Sequence, residues 1–196
     1  PENGMPRYMT ASGEIKEGSP GDDDKYFYLG KPIPDATYGL TVNLAWRNFD
    51  FTMYGTGTIG NDIFTLMWSA DRTQGNTLNY FWKNSWTESN KNAPLPNMSN
   101  VAKDWKFWSS NAAMFDGSFF KIKQIQLGYT LPQNLTRKAA VDNLRVYVSL
   151  DDYFTFTKYP GADPETATTG RAKAMGYDSG TYPTMKKIIF GVNLTF

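Results

Sequence analysis

Histidine and cysteine are both absent from the 196 residues, and the two gaps remove most of the common catalytic and metal chemistry. Without imidazole or thiolate, the usual zinc sites, the Ser-His-Asp triad and the Cys-His dyad cannot be assembled within this chain. Only chemistry built on carboxylates or lysine stays open, and the expectation is a protein that is not an enzyme. A cysteine-free chain suits a reducing compartment, and equally a Gram-negative envelope protein that needs no cross-links. An excess of one charge is missing as well. With 20 basic against 19 acidic residues and a net charge of +1, nothing attracts a nucleic acid. The longest apolar run, around Ile188 to Phe190, is far shorter than the about 20 residues a membrane helix needs. The opening Pro1-Glu2-Asn3-Gly4 is no signal peptide and reads as the inside of a loop, so an exported protein is expected to have its beginning elsewhere.

What the chain has in quantity is aromatic side chains. Aromatics make up 16% of the residues, with 13 Phe, 12 Tyr and 6 Trp, although the mean hydropathy is −0.51. A chain that is polar on average but rich in Tyr, Trp and Phe fits a transmembrane β-barrel, whose aromatics collect at the two membrane interfaces. Carbohydrate-binding β-sandwiches share the bias and supply the alternative reading.

Periodicity favours the barrel. In the closing segment Ile188, Phe190, Val192, Leu194 and Phe196 alternate with Lys187, Gly191, Asn193 and Thr195, and only Ile189 breaks the pattern. Period 2 over about ten residues is the length a tilted strand needs to cross a bilayer. Leu144, Val146, Val148 and Leu150 repeat the pattern against Arg145, Tyr147, Ser149 and Asp151, and Tyr38, Leu40, Val42, Leu44 and Trp46 do so upstream. Phe49, Phe51 and Met53 form a further short set. Between residues 119 and 131 the phase changes: Phe120 and Ile122 share one parity, Ile125, Leu127, Tyr129 and Leu131 the other. A β-bulge near Lys123-Gln124 reconciles them. Strands are therefore expected near 38–46, 49–57, 119–131, 143–154 and 185–196.

The connections alternate in length. Arg47-Asn48 makes a tight turn and a modest linker begins at Pro132, whereas 58–118 and 157–184 are long and rich in Gly, Pro, Asn and Trp. Transmembrane barrels combine short periplasmic turns with long extracellular loops in this way. With Phe196 at the periplasmic end, both long loops fall outside and residues 1–37 form a further extracellular loop, partly ordered. Five strands cannot close a membrane barrel, which takes about eight at least, and an open edge in lipid costs several kcal/mol per unpaired backbone group. The chain is expected to be part of a larger polypeptide.

An ordered set of short segments resembles the C-terminal end of the SusC-like (RagA-like) TonB-dependent outer-membrane transporters of Bacteroidetes. They are Leu29-Gly30-Lys31-Pro32-Ile33-Pro34-Asp35 with Tyr38-Gly39-Leu40, Gly60-Asn61-Asp62-Ile63-Phe64, Ile125 with Gly128-Tyr129-Thr130-Leu131-Pro132, and Asn143-Leu144-Arg145-Val146-Tyr147. Phe154-Thr155, Tyr159, Asp163-Pro164-Glu165, Tyr182-Pro183 and Gly191-Val192-Asn193-Leu194-Thr195-Phe196 follow in order. Leu150-Asp151-Asp152-Tyr153-Phe154 departs from the uncharged pair more usual there. The resemblance implies an all-β fold, about five C-terminal strands of a large antiparallel transmembrane barrel of about 22 strands, in the outer membrane and bounded by its lipid. It also implies import of oligosaccharides or peptides, driven by TonB through an upstream region. Its partners would be the N-terminal remainder of the transporter, with its plug, and a SusD-like surface lipoprotein acting as a lid.

Candidate sites follow. Trp68, Trp82, Trp86, Trp105 and Trp108 sit in the long loop and could stack on sugar rings or peptide side chains, or touch a lid; packing of the loop upon itself is the plainer alternative. Tyr38, Trp46 and Phe196 end apolar rows and are candidates for a membrane girdle. Asp22-Asp23-Asp24 could offer oxygens to calcium, but without the Asp-x-Asp-x-Asp-Gly spacing it reads as a solvated turn. No cofactor is expected. Asp151 and Asp152 are neighbours on a strand, point to opposite faces and do not make a catalytic pair. Arg145 and Lys187 are expected to face the lumen and pair with carboxylates.

Overall fold

The computed structural model describes residues 3–21, 29–67, 77–168 and 175–196. In chain order its strands are β1 (Arg7–Met9), β2 (Ile15–Glu17), β3 (Ala36–Trp46), β4 (Phe49–Ile59), β5 (Asp62–Thr65), β6 (Met114–Asp116), β7 (Phe119–Thr130), β8 (Asn143–Thr157), β9 (Tyr177–Asp178) and β10 (Lys187–Thr195). The α-helices are one or two turns long: α1 (Asn79–Asn84), α2 (Met98–Val101), α3 (Trp105–Trp108), α4 (Gln133–Thr136) and α5 (Pro164–Thr168). No described helix is long and apolar enough to cross a membrane. The chain divides into two units. One comprises Pro1–Ile33, Asn61–Gly117 and Tyr159–Tyr182; the other comprises Pro34–Gly60, Ser118–Lys158 and Pro183–Phe196.

The second unit is one antiparallel sheet in the order β10-β8-β7-β4-β3. Its strands lie within three residues of the ranges read from the alternation, and β8 runs on to Thr157. Trp46 pairs with Phe49 across the Arg47-Asn48 turn, and Arg47 takes φ 55° there, as a two-residue hairpin turn requires. The change of phase in β7 is a stepped bulge. Ile122 and Gln124 lie opposite the consecutive residues Gly55 and Tyr54 of β4, but opposite Phe154 and Asp151 of β8. The backbone absorbs the step at Asp152, where φ is 54°, a left-handed conformation that Asp tolerates better than bulkier residues. Because of the bulge, Ile122 shares a row with Leu40, Gly55 and Phe154 and the apolar face continues across it.

The first unit is packed differently from the loops that the sequence suggested. Residues read as loop 1–37 include the β1–β2 hairpin. The two long connections contribute a three-stranded sheet, β6-β5-β9, with β5 antiparallel to β6 and parallel to β9. Its short helices are held by caps rather than by length. Asn97 Oδ1 accepts from Ser99 N at 2.9 Å, and Asp104 Oδ1 accepts from Lys106 N and Phe107 N, both at 3.1 Å. Phe81, Leu95, Val101, Trp108 and Ala113 form one core cluster and Ile63, Tyr159 and Ala167 another; Phe115 packs against both. Edge-to-face ring pairs tie the first cluster, among them Phe81–Trp108 at 5.1 Å and Tyr80–Phe115 at 4.9 Å. The connections are therefore a packed body with its own aromatic core.

Candidate functional site

Directly opposed residues of an antiparallel sheet share a face, so the register sorts every side chain of the second unit. Leu44, Phe51, Leu127, Val148 and Phe190 make one row across all five strands, and Val42, Met53, Ile125, Leu150 and Ile188 make the next. This face ranges from half-buried, as at Phe51, Met53 and Val148, to 80% exposed at Phe190. Aromatic rows bound it at both ends. At one end Tyr38 stacks on Phe120 at 5.8 Å and Phe120 on Phe156 at 6.5 Å. Gly57 stands between Tyr38 and Phe120 in the row, and a side chain there would collide with the Tyr38 ring. At the other end lie Trp46, Phe49 and Tyr129, with Phe49 and Tyr129 centroids 4.6 Å apart. The rows are eight residues apart on β3, about 26 Å along an extended strand. Tyr38, Trp46 and Phe196 all fall on this surface or at its end, and all are exposed. Phe49, Phe120, Tyr129 and Phe156 belong to the same rows, and the parity they share with the apolar set is their signal in the sequence.

The opposite face is polar and carries an ion pair. Arg145 Nε donates to Asp50 Oδ1 at 2.9 Å and Nη2 to Oδ2 at 2.5 Å. This bidentate geometry is the strongest that a guanidinium and a carboxylate can adopt. The pair spans Gly128, where a methyl group would meet both side chains. Arg145 thus pairs with a carboxylate of its own sheet. Lys187 lies opposite Asp151 in the register, and Ser149 donates to Asp151 at 2.5 Å. Lys121 Nζ, fully buried, donates to Thr184 Oγ1 at 2.9 Å. Asp152 sits mostly buried at the bulge, with Lys123 Nζ 3.2 Å from its Oδ1.

The tryptophans of the first unit separate by role. Trp108 is 1% exposed, and its indole N–H donates to the Val101 carbonyl at 2.7 Å. It is a core residue with no surface to offer a substrate or lid, so of the two readings given to it the packing one holds for Trp108. Trp86 is half-buried, packs on Gly4, where an added side chain would meet the ring at 2.8 Å, and keeps its Nε1 buried. Trp82 and Trp105 are 74% and 62% exposed and remain free to make contacts. Trp68 and Asp22-Asp23-Asp24 lie outside the described residues. An open cleft in this unit is lined by Tyr8, Pro20, Pro94, Pro96, Trp105 and Phe107, among others. Among the described residues no acidic group is arranged to hold a metal ion. Burial, reinforced by a hydrogen bond to the Asp178 carboxylate, pushes the Tyr159 hydroxyl well above the usual phenol range. Tyr159 therefore stays a donor.

No family model matches the chain. Among curated proteins it is 30% identical over 175 residues to TonB-dependent receptor P3 of Formosa agariphila, matching 86% of this chain and 17% of that protein. It is 27% identical over 197 residues to TonB-dependent receptor SusC of Bacteroides thetaiotaomicron, matching 100% of this chain and 18% of the receptor. Among solved structures, that of the RagAB peptide transporter superposes with a TM-score of 0.75 at 22% identity, covering 100% of this chain and 21% of that one. The chain thus spans less than a fifth of the curated relatives it matches.

Proposed function

Starting from a chain homologous to TonB-dependent receptors of the SusC type, we propose that the five-stranded sheet is a stretch of barrel wall in an outer-membrane nutrient transporter. The observation that carries this is the exposed apolar face bounded by two aromatic rows. In water such a face would drive aggregation; in a bilayer it is the solvated side of the wall, with its rings at the interfaces. The polar face, with Asp50, Gln126, Ser149 and Arg145, then lines the lumen. The strand edges at β3 and β10, each paired on one side only among the described residues, continue into the rest of the barrel. The long connections 58–118 and 157–184 serve as extracellular loops, with Trp82 and Trp105 open to an incoming oligosaccharide or peptide, or to a SusD-like lipoprotein lid, and TonB drives transport through another part of the polypeptide. A β-sandwich would cover its apolar face with a second sheet, and the exposure of Phe190, Val192 and Leu194 speaks against that alternative.

Cysteine accessibility tests the proposal in the full-length transporter in whole cells. Gln126→Cys and Leu127→Cys occupy adjacent residues on opposite faces of β7. A membrane-impermeant maleimide should label the first through the aqueous lumen, while the second reacts only with a lipid-soluble reagent. Equal labelling of both by the impermeant reagent, or recovery of the transporter without detergent, would overturn the assignment.

A further inference from the structure

The face given to lipid under Proposed function carries one cation whose position that reading leaves unused. Arg47 occupies the turn between β3 and β4, and its Cζ lies 4.7 Å from the centroid of the Trp46 ring. The turn is pinned. Asn48 Nδ2 donates to the Thr130 carbonyl, and Thr130 N donates to the Asn48 carbonyl, both at 2.8 Å. Trp46 lies in the terminal aromatic row with Phe49 and Tyr129, so its ring directs the guanidinium to the outward side of the turn. The contrast with Arg145 is informative. That arginine, on the polar face, is closed by Asp50, whereas among the described residues no carboxylate pairs with the exposed Arg47. An unpaired guanidinium seated on an indole, at the boundary where an apolar face ends, matches the depth of a phospholipid phosphate below the aqueous phase. The guanidinium fork suits phosphate oxygens, and the exposed indole carries a further N–H donor. The second connection at this end, 131–142, adds Arg137 and Lys138 against Asp142, all exposed, so the rim as a whole attracts an anionic surface.

We propose that Arg47 and Trp46 form a binding site for the phosphate of a lipid headgroup at the rim of the barrel wall. The site rests on the reading of the sheet as membrane wall. The lipid's acyl chains run along Phe49, Leu44 and Phe51, and its phosphate meets the guanidinium above them.

The test is native mass spectrometry of the full-length transporter in detergent, titrated with short-chain phosphatidylglycerol, with diacylglycerol of the same chain length, and with phosphatidylglycerol in the presence of millimolar inorganic phosphate. Arg47→Gln should weaken phosphatidylglycerol binding by about five- to ten-fold, in the range for losing one charged hydrogen-bonding group. Arg47→Lys should recover part of the loss, Trp46→Leu should lower the affinity less, and the distant Arg7→Gln should change nothing. Diacylglycerol should bind weakly and equally to wild type and Arg47→Gln, and inorganic phosphate should not displace the lipid. Unchanged phosphatidylglycerol binding in a heat-modifiable, folded Arg47→Gln protein would overturn the headgroup site alone. Displacement by inorganic phosphate would overturn it in favour of a free-anion site. A transporter recovered as a water-soluble protein would instead remove the membrane reading on which the site rests.

Discussion

Trp108 and Trp46 lie on opposite sides of the solvation problem that this chain solves. Trp108 is 1% exposed, ringed by Phe81 and Phe107, with its N–H bonded to a carbonyl; Trp46 is 64% exposed at the end of a strand. The same division runs through the two units. Among the described residues every buried hydrophobic side chain except Phe119 belongs to the first unit, while the sheet leaves Leu44, Val192, Leu194 and Phe190 open. The first unit buries Phe81, Trp108 and Tyr159 in its core, as the removal of apolar surface from water favours. The sheet carries Trp46, Phe49, Phe156 and Phe190 exposed on one face and its Arg145–Asp50 ion pair on the other. Similar residue types therefore end up buried in one unit and exposed in the other, and exposure, not composition, tells the two apart.

The comparison can be broken by substitutions that should be severe in one unit and mild in the other. The largest effect is expected for Trp108→Ala, at about 3–5 kcal/mol of local stability. Hydrogen exchange should show faster opening of residues 77–117, while protection in the sheet stays unchanged; loss of protection in both would join the units energetically. Next is Leu127→Arg, which places a charge in the middle of the apolar face and should cost about 2–4 kcal/mol in a bilayer. The adjacent Gln126→Arg should cost less than about 0.5 kcal/mol as an ordinary polar-face change. Urea titrations of both variants folded into lipid vesicles measure the difference, and equal costs would remove the distinction between the faces. Tyr159→Phe deletes a donor to the buried Asp178 carboxylate and should destabilise the first unit by about 1–3 kcal/mol, read as earlier protease cleavage within it. The smallest effect is expected at Asp50→Asn, at most about 1 kcal/mol, because the pair with Arg145 is partly exposed and screened. That loss should shrink in high salt, and a salt-independent loss would mean that packing rather than charge holds the pair.

The sheet was largely legible in the sequence because its information is local. Alternation over ten residues fixes which side chains share a face, and the parity change at Lys123-Gln124 was enough to place a bulge that the register shows between Ile122 and Gln124. What alternation missed were effects of that bulge on its neighbours, chiefly the left-handed Asp152 and its burial against Lys123. The first unit was hardly legible. Its helices span one or two turns and carry no measurable period, so Trp105 and Trp108, three residues apart, gave no hint that one would be exposed and the other buried. The caps Asn97 and Asp104 were the available signal for short helices in what read as loop.

The sequence by itself determined the chemistry the chain lacks, the two-residue alternation of its long strands and the resemblance those segments carry. These depend on residue types and spacings that every copy of the chain shares before it folds. Only the tertiary structure decided which aromatics are core and which are surface. Phe115 meets Tyr159 at 6.0 Å across a connection that contains two whole strands of the sheet, and Ile63 joins the same cluster from further upstream. Contacts between such distant segments depend on how the intervening chain is routed, and no local pattern of hydrophobicity records that route.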